Sequence, residues 1–316
     1  MKKIGLPYLL PVVFLFSVCI TSSCKKDAGS PGTGSGTITA VVSANPDLSF
    51  LSVAIIHAGL SGEYSDDVSY TLFAPTNDAF KAAGYSTINA INAEDPDIIA
   101  DIIYYHTVDE ILKVDDLLPG PNVPYETLNT DSIYITGTGG KYFINGAQLL
   151  TDDNIATNGV VHTISRLLTP PPGNIISVLQ IRPELSFLVA AIQRASEGST
   201  DIFDILSGDG PYTLFAPTND AFKADGFATI DEINNADPGV LAGLLQYHIL
   251  PARNYTCEFY DGYTPATLQG SAVSVNATGG YSVKGNADTN AASISSPDIT
   301  AYNGVVHEIN RMLHAL

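Results

Sequence analysis

Apolar residues follow two different rhythms along this chain. Leu48, Leu51, Ile55 and Ala58 recur at helical spacing, and Leu185, Leu188 and Ile192 repeat it farther on. Ile98, Ile102 and Tyr105 do so again behind Pro96, a residue suited to the first turn of a helix. The rhythm then changes to period two. Ser132–Thr136, Lys141–Ile144 and Gly159–His162 read as strands separated by Gly-Gly and Asn-Gly turns. Helices first and antiparallel strands afterwards predict an α+β domain. A third pattern stands apart at the start. Lys2 and Lys3 precede an apolar run from Ile4 to Ile20 that ends in small polar residues, as a secretory signal does. The run is short for a membrane span, and Pro7 and Pro11 interrupt it.

The pattern occurs twice. YTLFAPTNDAFKA stands at Tyr70–Ala82 and again at Tyr212–Ala224; Tyr105-His106 returns as Tyr247-His248, and Asn158–His162 (NGVVH) as Asn303–His307. Upstream, Pro46–Phe50 matches Pro183–Phe187. The offsets are 142, 142, 145 and 137 residues, so the unit is a whole domain with small loop insertions and is too long for a solenoid repeat. Boundaries follow from composition: a signal peptide at 1–23, a flexible Gly/Ser-rich tether at 24–36, domain 1 at 37–168, a Pro-rich linker at 169–173 and domain 2 at 174–316. Within the thirteen residues, Tyr70–Ala74 reads as a strand that Pro75 stops. Thr76 caps a short helix, Asp78 sits at its positive end, and Phe80 turns back onto the core alongside Phe73. Asn77 and Asn219 read as turn residues that satisfy backbone groups, the alternative being an anchor for a carbohydrate hydroxyl.

Chemistry-bearing patterns are sparse. Fourteen basic residues face 33 acidic ones, and the net charge of −19 becomes more negative once Lys2 and Lys3 leave with the signal, which argues against nucleic acid and against a bilayer bound through a basic patch. No calcium-loop, H-E-x-x-H, G-x-S-x-G or phosphate-loop spacing occurs. We therefore expect no catalytic residue, no metal and no cofactor; the acids offer carboxylate pairs, but none stands out as a glycosidase pair. Four of the six histidines are the repeated His106/His248 and His162/His307, expected in cores or at helix ends. Cys24, after Thr21, Ser22 and Ser23, stands where a bacterial lipoprotein carries its lipid, with Cys19 as the competing position. Cys257 is then the one free thiol, and no intrachain disulfide is possible.

The segment Thr71–Phe80, the Tyr-His pair and the terminal Asn-Gly-Val-Val-His-x-Ile resemble the signature segments of the fasciclin-like domain, in both copies and from about residue 37 to the end. The resemblance implies two tandem domains, each with N-terminal helices packed on an antiparallel β-sheet wedge, and a role in extracellular adhesion. In animal members the Tyr-His region and an Asp-Ile pair are implicated in integrin recognition. These fall here on Tyr105, His106, Tyr247 and His248, and on Asp298 and Ile299; in the first copy the pair is broken, as Asp153-Asn154. The resulting expectation is a lipid-anchored, non-catalytic adhesion or matrix-binding protein of the cell envelope, in or outside the periplasm, with a protein or glycan ligand. The alternative is an accessory glycan-binding or docking subunit of an envelope carbohydrate-uptake system.

Overall fold

The computed structural model describes residues 36–65 and 69–315. The expected signal, Cys24 and nearly all of the tether lie outside the described residues. Both copies lie in one compact unit.

In the first copy, helices α1 (Ile38–Ala44), α2 (Ser49–His57), α3 (Asn77–Ala82), α4 (Ile88–Asn92) and α5 (Pro96–Tyr105) pack on a sheet of β1 (Tyr70–Pro75), β2 (Thr107–Val108), β3 (Gly120–Glu126), β4 (Ser132–Thr138), β5 (Lys141–Ile144), β6 (Ala147–Ala156) and β7 (Gly159–Ile164). The second copy repeats this with α6 (Ile175–Gln180), α7 (Ser186–Ala195), α8 (Ile202–Ser207), α9 (Asn219–Ala224), α10 (Ile230–Asn234) and α11 (Pro238–Gln246). Its strands are β8 (Tyr212–Pro217), β9 (Ile249–Leu250), β10 (Ser274–Asn276), β11 (Ser282–Lys284), β12 (Ala292–Ala301) and β13 (Gly304–Ile309). The sheet orders are β2-β1-β7-β6-β5-β4-β3 and β10-β11-β12-β13-β8-β9. Most pairings are antiparallel, but β1 runs parallel to β7, and β8 to β13. Nearly the whole domain forms the crossover between those two strands, so local alternation does not reveal their direction.

The central strands β1 and β7 bury both faces, and this splits each core in two. Leu72, Ala74 and Val161 face the helices with Leu51, Ile55, Phe80 and Ile103. Phe73 and Ile164 face the other way, onto Ile133, Ile135 and Ile144 of the strand wedge. Phe80 and Phe73 are thus both buried but in different layers, because neighbouring strand residues point to opposite faces. Helix α5 differs in phase from the expected face: Ile99, Ile103 and Tyr105 are buried and Ile98 is half exposed. The doublets Ile98-Ile99 and Ile102-Ile103 fit either phase, and packing selects the second.

The repeated Asn-Gly turn has a steric cause. A Cβ on Gly159 would lie 2.2 Å from the Tyr70 carbonyl oxygen, and one on Gly304 2.1 Å from that of Tyr212. Its asparagine ties the first helix to the sheet: Asn158 Oδ1 accepts from Ile38 N at 2.8 Å, and Asn303 Oδ1 from Ile175 N at 2.9 Å. Each hydrophobic cluster among the described residues draws on one copy alone, and together they span Ile38 to Leu313.

Candidate binding surface at the domain seam

The thirteen-residue repeat is structural in both copies. Thr76 Oγ1 and Thr218 Oγ1 cap α3 and α9 by accepting from Ala79 N and Ala221 N. Asn77 Oδ1 accepts from Phe50 N at 2.9 Å while its Nδ2 donates to Pro46 O at 2.9 Å, and Asn219 does the same with Phe187 and Pro183. Both ends of each amide are therefore engaged within the domain.

Tyr105, His106, Tyr247 and His248 lie in the cores and offer almost no surface. His106 Nδ1 donates to Ile102 O at 2.7 Å and its Nε2 accepts from Leu168 N at 2.9 Å. His248 makes the same bridge from Leu244 O to Leu313 N. Each ring fastens the end of α5 or α11 to the last apolar residues of its domain. Burial lowers both to about 4. His162 and His307, lowered in the same direction by burial, bridge Leu112 O to Asp153 N and Asn254 O to Asp298 N. Tyr105 and Tyr247 donate their hydroxyls to Ser132 O and Ala272 O across the strand wedge.

Asp153 and Asp298 are structural counterparts. Both have positive φ, 47° and 60°, at a bulge in β6 or β12. Asp153 Oδ1 accepts from Val114 N at 3.1 Å, and Asp298 Oδ1 from Thr256 N at 2.7 Å. Each carboxylate so caps a 3-10 turn, Val114–Asp116 or Thr256–Glu258. Asp298 does more. Its Oδ2 accepts from Thr256 Oγ1 at 2.6 Å and from Arg166 Nη1 of the first copy at 3.1 Å, and only 1% of its side chain is exposed. Arg166 Nη2 donates to Asn145 O at 2.6 Å; Asn145 also holds Tyr105 Oη at 2.8 Å and accepts from Tyr255 Oη at 3.3 Å. The Asp-Ile pair, which also reads as an acidic turn with its isoleucine in the core, is built into the contact between the copies, and Ile299 packs against the core of the second.

Further contacts widen this seam. The Arg253 guanidinium lies 3.8 Å above the Tyr134 ring and donates to the carbonyls of Ala301, Tyr302 and Gly304. Asn122 Nδ2 reaches Arg253 O at 2.7 Å and Glu258. The linker is held at both ends, by Leu168 N on His106 and by Tyr302 N on Gly173 O. Beside it opens a cleft of about 300 Å³ lined by Leu167, Pro170, Val178, Ile181 and Ile299, with Arg166, Arg182 and Asp298 on its polar side. Such a lining can take an apolar group carrying a hydrogen-bond acceptor.

The sequence pattern of the Fasciclin domain matches residues 46–170 and 183–315. The chain belongs to the fasciclin domain family. It is 30% identical over 246 residues to transforming growth factor-beta-induced protein ig-h3 of Sus scrofa, covering 78% of this chain and 34% of that protein. Periostin of Homo sapiens is 29% identical over 247 residues, 78% of this chain and 28% of its own length. The chain thus spans about a third of the animal relatives. Immunogenic protein MPB70 of Mycobacterium bovis is 34% identical over 120 residues, 38% of this chain and 60% of that protein. A solved fasciclin domain pair from the insect cell adhesion molecule Fasciclin I covers 84% of this chain at 18% identity, with a TM-score of 0.40.

In both fasciclin domains the shared residues build scaffold, whereas the seam combines Arg166 and Asp298, which recur as Arg311 and Asp153, with residues that differ between the copies. Asn122, Tyr134, Asn145, Arg166, Arg253, Tyr255 and Glu258 carried no motif. One signal was available: Tyr255–Phe259 has no sequence match in the first fasciclin domain, where Lys113–Leu117 forms the corresponding turn, and it contributes Tyr255 and Glu258 to the seam. Within it, burial and the charges of Glu258 and Asp298 push the Cys257 thiol up to about 12, so it is a thiol and not a nucleophilic thiolate at neutral pH.

Proposed function

We propose that the chain is a non-catalytic adhesion or matrix-binding protein of the cell envelope, anchored to the outer membrane by lipid on Cys24 and facing the periplasm or the exterior. The order is signal 1–23, tether 24–36, fasciclin domain at 37–168, linker 169–173 and fasciclin domain at 174–316. The observation that carries this reading is the tandem fasciclin pair itself. Its shared polar residues hold backbone groups of the fold, which leaves recognition to the outer surface and the seam cleft. Among the described residues no single helix is long and apolar enough to cross a membrane. Anchoring is assigned to Cys24 because it follows the charged start, the apolar run and small polar residues of a lipoprotein signal, and several acyl chains hold far more firmly than one.

One observation favours a glycan ligand, and with it the accessory-subunit reading. Tyr260 and Tyr263, just after the Thr256–Glu258 turn, have ring centroids 5.2 Å apart, and Tyr260 is 60% exposed. Such rings offer an apolar face with a polar edge. The test presents the chain from Pro31 onward to defined panels of envelope proteins, matrix proteins and glycans, with Tyr260→Ala in parallel. Protein binding indifferent to Tyr260 supports adhesion, and glycan binding lost with Tyr260 supports the accessory role. Turnover of a panel member contradicts both. For the anchor, Cys24→Ser is expected to leave the membrane fraction or to remain unprocessed; a mature-sized, membrane-bound variant places the anchor elsewhere.

A further inference from the structure

The seam cleft has two walls, and each wall recurs elsewhere on the molecule without its partner. The first domain contributes Ala82, Asn145, Arg166 and Leu167. At the repeat offsets of 142 and 145 these become Ala224, Asn290, Arg311 and Met312, which line an open depression of about 230 Å³ on the second domain. The second domain contributes Val178, Ile181, Arg182 and Ile299. At offsets of 137 and 145 these become Val41, Ala44, Asn45 and Asn154, which line an open depression of about 540 Å³ on the first domain. The charged pair at the centre of the seam is preserved in this displaced form. Arg311 stands for Arg166, is exposed, and makes no ion pair among the described residues. Asp153 stands for Asp298; its Oδ1 accepts from Val114 N, and among the described residues no donor meets its Oδ2.

We propose that these two faces bind each other between copies of this chain, head to tail, with Arg311 of one copy set against Asp153 of the next. The intrachain seam shows how the faces meet, and the repeat supplies the same two faces again in the same relative order. Such a contact is heterologous, so it leaves one free face of each kind and continues into a row of copies. It is independent of which ligand the chain binds.

The copied contact is weaker than its template for visible reasons. A Cβ on Gly146 would lie 2.6 Å from Asp298 Oδ2, and the second domain replaces the tight Asn145-Gly146 turn by the longer segment 285–291. Ala44 and Asn154 also replace the apolar Ile181 and Ile299. Within the chain, moreover, a short linker holds the two faces at an effective concentration of order millimolar, which separate copies lack.

The test is sedimentation equilibrium on the chain from Pro31 onward, which contains the whole described core. Its weight-average mass is expected to rise over roughly 10 to 500 µM, a range that reads contacts of micromolar to millimolar affinity. Arg311→Glu should weaken this association at least about tenfold, as reversal of a paired interfacial charge does. Asp153→Asn should weaken it too while keeping its melting temperature, because the amide oxygen still accepts from Val114 N. Lys223→Glu, another exposed charge reversal on the second domain, should leave association unchanged. A wild-type chain monomeric throughout the range overturns the proposal, and so does association that survives Arg311→Glu intact.

Discussion

Four buried imidazoles show how a residue type that invites a functional reading serves the fold. In His106, His162, His248 and His307 one ring nitrogen donates to a carbonyl and the other accepts from an amide, and only the neutral ring can do both. A proton on the accepting nitrogen leaves a buried amide without a partner. The folded values are depressed, to about 4 for His106 and His248 against an ordinary 6.5. The unfolded chain therefore binds more protons between these values. The stability held by the rings is complete above about pH 6.5 and is lost as pH falls towards 4, by roughly 3 kcal/mol each for His106 and His248. Glu258, Glu308, Asp131 and His314, all raised, act in the opposite sense, but they are less deeply buried than the four rings. Melting temperature is expected to fall steadily from pH 7 to pH 4; a flat profile over that interval contradicts the neutral-ring assignment.

At the scale of elements, the strand-turn-helix unit is the most legible part of the sequence, because each of its positions has a local reason. Thr218 caps α9, and Asn219 clamps α9 to the turn at Pro183 and to the start of α7. Thr218→Ala is expected to cost about 1 kcal/mol, whereas Asn219→Ala strands both a donor and an acceptor and is expected to cost roughly 2 to 3 kcal/mol. Urea unfolding of the two variants checks the order, and equal costs contradict the clamp. Strands β4, β5 and β7 were readable from alternation. Strand β6 was not, since its acidic Thr-Asp-Asp-Asn run is bulged between Leu149, Thr151 and Asn154, which breaks the period of two. The seam was illegible for a related reason. Its residues answer to a surface more than a hundred positions away, and local pattern reports only what is local. Asp298 was found by resemblance, but nothing nearby in sequence indicated Arg166 as its partner.

The described residues form two fasciclin domains with separate apolar cores and a polar seam between them. Domains joined in this way move independently unless their interface is specific. Here specificity comes from a buried carboxylate, because Asp298 both closes the Thr256 turn of its own domain and receives Arg166 from the other. Removing one partner of such a pair leaves an uncompensated charge, so the two side chains should be strongly coupled. The pair accordingly fixes how the two domains are oriented. The most direct measurement is a double-mutant cycle on Arg166→Ala and Asp298→Asn, read by equilibrium unfolding of the chain from Pro31 onward. The asparagine keeps an acceptor for Thr256 N, so the cycle isolates the contact between the domains. A coupling energy of about 1 to 3 kcal/mol is the predicted result. Additivity within about 0.3 kcal/mol would show that Asp298 serves its own domain alone and that the seam does not hold the fasciclin pair together.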